Sequence, residues 1–198
     1  SMAAKYERTE IRRRQIAEAA LAAIAEDGLS GFTSRGVAAR LEIADGTIFR
    51  HFANKTEIVL AAMERLEEEL FTQPSVPTDD PLQKLEHLFR SRAHLVGGSN
   101  AVGRLMFSHD LLHAGGESAV ERFAGWRHRT FDFVSAQLQS MRDAGRLRTD
   151  IEIPQLVHVF VGTILVFSNE RSVFDGVHPD LDAEVDRVWA TLEQLFLV

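Results

Sequence analysis

The chain has 198 residues, 45% of them hydrophobic and 26% charged, with no cysteine and a formal net charge of −7. That apolar fraction excludes a disordered polymer, and no apolar run reaches the roughly 18 residues of a membrane span. The absence of cysteine excludes disulfides, thiolate nucleophiles and cysteine-ligated metals, and the charged N-terminus lacks the apolar stretch of a secretory signal, so the expectation is a cytoplasmic protein with no membrane partner. The charge is uneven: residues 1–65 carry ten Lys or Arg against nine Asp or Glu, and residues 66–198 carry twelve against twenty. A slightly basic head on an acidic body is the asymmetry a DNA-binding segment produces.

Taken in chain order, the segments read at helical period. From about Thr9 to Asp27, Ile16, Ala20, Ala23 and Ile24 share a face, and Gly28 supplies a left-handed end. Short helices are expected from Ser34 to Leu41 and from Asp45 to His51, separated by a turn around Glu42 to Ala44. A longer helix starts near Asn54, where Asn54 and Glu57 have the spacing of a reciprocal N-terminal cap. Pro74, Pro77 and Pro81 mark the clearest break. Beyond it, helices are expected near 81–96, 100–113, 117–144, 154–172 and 180–197, with Gly97-Gly98, Gly115-Gly116 and Gly176 between them. The expected fold is all-α with about nine helices.

Residues 33–55, TSRGVAARLEIADGTIFRHFANK, carry the functional signal. Val37, Ala38, Leu41, Ile43, Ile48 and Phe52 are spaced to make a small core between two short helices joined by a tight turn. That is a helix-turn-helix pattern, whose second helix enters a DNA major groove. Thr33 and Ser34 stand at a helix start, where hydroxyls and free N–H groups favour phosphate. Thr47, Arg50 and His51 present donors on the second helix, and Lys55 adds a cation.

At these positions the sequence resembles the TetR family of bacterial transcriptional repressors. The likeness lies in the first helix with its Gly28 turn, Phe32-Thr33, Val37-Ala38, Leu41, Gly46-Thr47, Phe49, His51-Phe52 and Lys55, over roughly residues 10–60. The resemblance implies a three-helix DNA-binding head, residues 8–54, and a helical ligand-binding and dimerisation body, residues 55–198. It implies a homodimer on a palindromic operator, released when a small molecule enters the body and changes the spacing of the two heads. Thr33, Ser34, Arg35, Gly46, Thr47, Phe49, Arg50, His51 and Lys55 are the expected DNA-binding positions. Two positions depart from the family: Phe49 replaces the usual Tyr and loses its hydroxyl, and Ala44 stands where a capping Ser is common.

In the body, Val120, Ala124, Arg127, Phe131, Val134, Leu138 and Met141 fall on one stripe, and Trp126, Thr130, Phe133 and Gln137 on a face one position away. Phe107, Asp110, Phe123, Trp126, Arg127, Phe133, Phe160 and Phe167 are the expected ligand-pocket residues, with Arg127 facing either a ligand anion or Asp110. Residues 154–172 are apolar on nearly all sides and the last helix has a broad apolar surface. The expected dimer interface is Val157, Val161, Leu165, Val185, Val188, Trp189, Leu192 and Phe196.

His109 and His113 share a helix face at i and i+4, the spacing of a metal pair, but Asp110 stands where zinc proteases carry a general-base Glu and no third ligand is near. The expectation is therefore no enzyme, no catalytic residue, no metal and no cofactor. The competing reading is a helical small-molecule- or metal-binding protein without a role in transcription.

Overall fold

The computed structural model describes residues 2–71, 76–98, 109–173 and 180–198, without the side chains of 2–5, 30, 98, 109–110 and 168–173. The described residues form helices α1 Met2–Gly31, α2 Ser34–Arg40, α3 Asp45–His51, α4 Lys55–Phe71, α5 Pro81–Gly98, α6 His109–Asp143, α7 Ile153–Val173 and α8 Leu181–Phe196. The all-α expectation holds: among the described residues β pairing is confined to an isolated antiparallel bridge between Leu147 and Leu197. Helix α1 starts well before Thr9, because residues 2–8 contain Ala, Lys, Glu and Arg and no Gly or Pro to stop it. The two glycine breaks sit where the sequence put them. Gly28 (φ 70) interrupts α1 and Gly116 (φ 64) interrupts α6, in a backbone region that glycine tolerates and side chains resist. The helix expected at 100–113 lies mostly outside the described residues.

The chain divides into two compact units, residues 1–73 with 105–124, and residues 74–104 with 125–198. In the first unit Ile16, Ala17, Ala20, Ala23 and Ile24 bury one stripe of α1 against Ile58, Val59, Ala62, Met63 and Leu66 of α4. Phe32, Val37, Ala38, Ile48 and Phe52 fill the space between α1, α2 and α3. Four side chains tie α1 to α4 at the surface: Arg65 meets Glu18 at 3.0 Å and Glu68, and Arg14 meets Glu18 at 3.2 Å and Glu68 at 3.5 Å. The segment of α6 up to Ala124 packs on the same helix α4. A Cβ on Gly115 would sit 3.4 Å from Leu60 and 3.7 Å from Val59, and Arg122 reaches Glu67 at 2.7 Å and Glu64 at 3.1 Å.

The second unit is built on aromatic rings. Phe89 of α5 meets Phe160 and Phe167 of α7 edge-on, each at 6.0 Å, and lies 5.7 Å from Trp189 of α8. Phe160 stacks on Phe196 at 6.4 Å. Arg90–Asp186 and His94–Asp182 (2.6 Å) join α5 to α8 outside this core. The chain end is held by Arg148 N–H donating to the Phe196 carbonyl at 3.0 Å.

Several expected roles change here. On α6 the buried positions include Leu111, Ala119, Trp126, Val134, Leu138 and Met141, whereas Val120, Arg127 and Phe133 face outward. The buried set takes Val134, Leu138 and Met141 from one expected face and Trp126 from the other, leaving Arg127 and Phe133 in solvent. Phe160, Phe167 and Trp126 are buried in the unit's own core. Phe123 is half-buried, and Phe107 and the Asp110 side chain lie outside the described residues. Of the expected dimer residues, Val157, Val185, Trp189, Leu192 and Phe196 are likewise buried within the chain, so they face inward rather than toward a partner. Val161, Leu165 and Val188 are half-buried. The outward face of α7 and α8 is instead a groove whose lining includes His158, Val159, Gly162, Thr163, Val166 and Val188.

Candidate nucleic-acid interface

Helix α2 begins with a complete cap: the Gly36 N–H donates to Thr33 Oγ1 at 3.0 Å, with Thr33 extended. At its end Arg40 reaches Glu26 at 2.6 Å and Asp27 at 3.4 Å, which raises its pKa further and pins α2 to α1. The turn that follows is tight. Ile43 N–H donates to the Ala38 carbonyl at 3.0 Å, and Glu42 adopts φ 55, a left-handed conformation that costs a non-glycine residue about 1 kcal/mol.

Helix α3 therefore leaves the turn in a fixed direction. Ile48 is fully buried and anchors it, so its neighbours are forced outward: Phe49 is 51% exposed, Arg50 and Gly46 are exposed, and Thr47 is half-buried. Space around a Cβ on Gly46 is open to 4 Å, so the N-terminal turn of α3 presents bare backbone. Ala44 makes no side-chain cap, as its chemistry dictates, and Asp45 supplies the first-turn charge. The expected cap at Asn54 forms, with Glu57 N–H donating to Asn54 Oδ1 at 2.9 Å. The return bond goes from the Ala53 N–H to Glu57, one residue before the box predicts.

The expected DNA-binding positions lie on α2 with its cap, on α3 and at the start of α4. Thr33, Arg35, Gly46, Phe49, Arg50 and Lys55 are exposed, and Ser34, Thr47 and His51 are half-buried. Lys55 Nζ lies 5.0 Å from the centre of the Phe32 ring. His51 is different in kind: its Nδ1 is buried without a partner, and burial, then Arg13, Arg12 and Arg50, push its pKa below the ordinary 6.5. It is a neutral imidazole among cations. Sequence reasoning missed Arg13, which it counted only among the ten Lys and Arg of residues 1–65. The signal was present in its i, i+3, i+4 spacing to Ile16 and Ala17, which places it at the edge of the buried stripe.

Sequence reasoning also missed Arg92, 8% exposed beside Phe89, Ala93 and Val96 on α5, whose pKa burial and Arg129 push down to about 10. Among the described residues no group of three His, Cys, Asp or Glu is placed to hold a metal ion, and His113 is exposed.

Comparison with known proteins agrees with this geometry. Residues 16–62 match the family described as bacterial regulatory proteins, tetR family. The transcriptional repressor KstR of Rhodococcus jostii is 30% identical over 76 residues, a match spanning 38% of this chain and 36% of that protein. The nucleoid occlusion factor SlmA of Serratia proteamaculans is 25% identical over 150 residues, covering 73% of each chain. In fold, the chain is similar to a putative transcriptional regulator from Saccharomonospora viridis solved with choline, with a TM-score of 0.81 and 17% identity over 96% of this chain and 99% of that one. The match at residues 16–62 covers α2, α3 and the start of α4, so this segment of the chain is similar to the N-terminal domain of the tetR family of bacterial regulatory proteins.

Proposed function

We propose that the chain is a transcriptional repressor that binds a palindromic operator as a homodimer and is released by a small molecule held in its second unit. The observation that carries this reading is α3. It is a short helix anchored by a fully buried Ile48, with Thr47, Phe49 and Arg50 turned outward beside the capped start of α2. Such a helix is shaped to enter a major groove, while the hydroxyls, N–H groups and cations around it hold phosphates. Two heads on successive half-sites double the phosphate contacts, which offsets the acidic net charge of the whole chain. Choline in the Saccharomonospora viridis relative supports a small-molecule effector.

A second copy is expected on the outward face of α7 and α8, where Val159 and Val166 are 45% and 52% exposed. Gly162 leaves that groove open at its middle. The position of the head–body boundary, proposed at residue 54, follows the end of α3; α4 packs on α1 and belongs structurally with the head.

The test is electrophoretic retardation of duplexes from the neighbourhood of the chain's own gene, at low and physiological salt. Retardation of a discrete fragment, weakening steeply with salt, supports the reading. A folded dimer that retards no fragment at low salt overturns it. The length of the SlmA match, which extends into the second unit, favours one other reading: a DNA-bound nucleoid occlusion factor. Mapping the chain on the chromosome separates the two, since a repressor concentrates at promoters and an occlusion factor occupies many dispersed sites.

A further inference from the structure

We propose that Arg13 is a positioning residue for DNA reading, which fixes the angle at which α3 is presented and thereby sets the preference for specific over random sequence. This rests on the DNA-binding reading above and adds to it a residue outside the helix-turn-helix.

Helix α3 has seven residues, so it has two turns and little stiffness of its own. Its near end is held by the turn, through Ile43 N–H on the Ala38 carbonyl. Its far end is held by α1. The Arg13 guanidinium donates from Nη1 to the carbonyl of His51, the last residue of α3 and 38 positions away in sequence. The same guanidinium lies over the ring of Phe52, with Cζ 4.3 Å from the ring centre, and Phe52 is 1% exposed. A hydrogen bond along the fork and a ring against its flat face fix both the distance and the direction of the helix end. The cation also stands at the carbonyl end of α3, where it favours the helix dipole. On the other elements at this corner the charges are differently engaged: Arg40 of α2 pairs with Glu26 and Asp27, and Lys55 of α4 lies over Phe32.

A residue that aims a helix has a different signature from one that attracts phosphate. Losing a phosphate contact weakens binding to all sequences alike and lowers the slope of log K against log salt by about 0.9 per head. Losing the aim weakens the chosen sequence and leaves random binding and the slope alone.

The experiment uses the full chain, a duplex enriched on it from a random-sequence library, and a random duplex of equal length. For Arg13→Gln, the expected result is a loss of about tenfold or more on the enriched duplex, the scale of a lost charge-assisted hydrogen bond. Random-duplex affinity and salt slope should be unchanged. Arg13→Lys, which keeps the charge and a donor but not the flat face, should recover part of the loss. Circular dichroism melting of each variant gives the folded fraction by which affinities are corrected. A parallel loss on both duplexes with a reduced slope makes Arg13 a phosphate contact and overturns the proposal. Unchanged affinity, or full loss with no recovery in Arg13→Lys, also overturns it. A wild-type chain that binds no duplex overturns the DNA-binding reading and this inference together, whereas a binding wild type with an unaltered Arg13→Gln overturns this inference alone.

Discussion

Phe49 carries a large apolar ring into solvent on α3, the helix proposed to enter a DNA groove. Without a hydroxyl it has no hydrogen bond to give a phosphate, and the apolar group a major groove offers is the 5-methyl of thymine. Replacing thymine by deoxyuracil at the contacted step of an enriched duplex should weaken the wild-type chain about fourfold, the transfer value of one methyl-sized group. The same replacement should leave Phe49→Ala unaffected, and competitive gel retardation would check both.

His51 gives a second expectation from its buried, cation-flanked ring. Its folded pKa lies below its unfolded one, so the unfolded chain takes up the proton first. The stability from the neutral ring is complete above about pH 6.5 and declines as pH falls through the lower, folded value. Denaturant midpoints between pH 7.5 and 5 should therefore fall less in His51→Gln than in wild type. An identical fall in both would show that the ring is not held neutral by the fold.

Elements whose ends depend on adjacent residues were readable in advance. Gly28 ends the regular part of α1 because φ 70 with ψ 172 suits glycine and almost nothing else. Gly28→Ala should lose about 1–3 kcal/mol in denaturant unfolding. Thr33 caps α2 through one hydrogen bond, so Thr33→Ala should lose about 1 kcal/mol while Thr33→Ser stays near wild type. The Asn54–Glu57 pair is local in the same sense, although its return bond moved to Ala53. Helix α6 was legible only as a helix. The stripe Val120, Ala124, Arg127, Phe131, Val134, Leu138 and Met141 and the face Trp126, Thr130, Phe133 and Gln137 both read as covered, and which members of each are buried depends on the neighbours present. Val134, Leu138 and Met141 are buried together with Trp126, leaving Arg127 outward and the buried guanidinium to Arg92 of α5.

At the scale of the whole molecule, the same ambiguity governs α7 and α8. Their apolar residues exceed what one covered side needs, and the sequence does not say which are spent on the chain's own core. Trp189, Leu192 and Phe196 are spent there, with Phe89 and Phe160. Trp189→Ala should thus cost about 3–5 kcal/mol of folding stability, read by chemical denaturation, whatever the state of assembly. Val159 and Val166 remain outside. Val166→Glu should leave the fold intact by circular dichroism, since the position is half exposed, and yield a monomer in sedimentation velocity with loss of operator binding. A Val166→Glu chain that still sediments as a dimer would place the partner elsewhere.

The sequence by itself determined the all-helical fold, the glycine breaks, the caps of α2 and α4, and the helix-turn-helix with its outward Phe49 and Arg50. Each of these is fixed by spacing along the chain, at period 3.6 or within a four-residue cap. Tertiary structure alone decided which members of the two apolar stripes α6 buries, which apolar residues of α7 and α8 stay exposed, and that Arg13 closes the end of α3. Those outcomes depend on residues distant in sequence meeting across helices, and periodicity specifies a face only where a helix has a single apolar one.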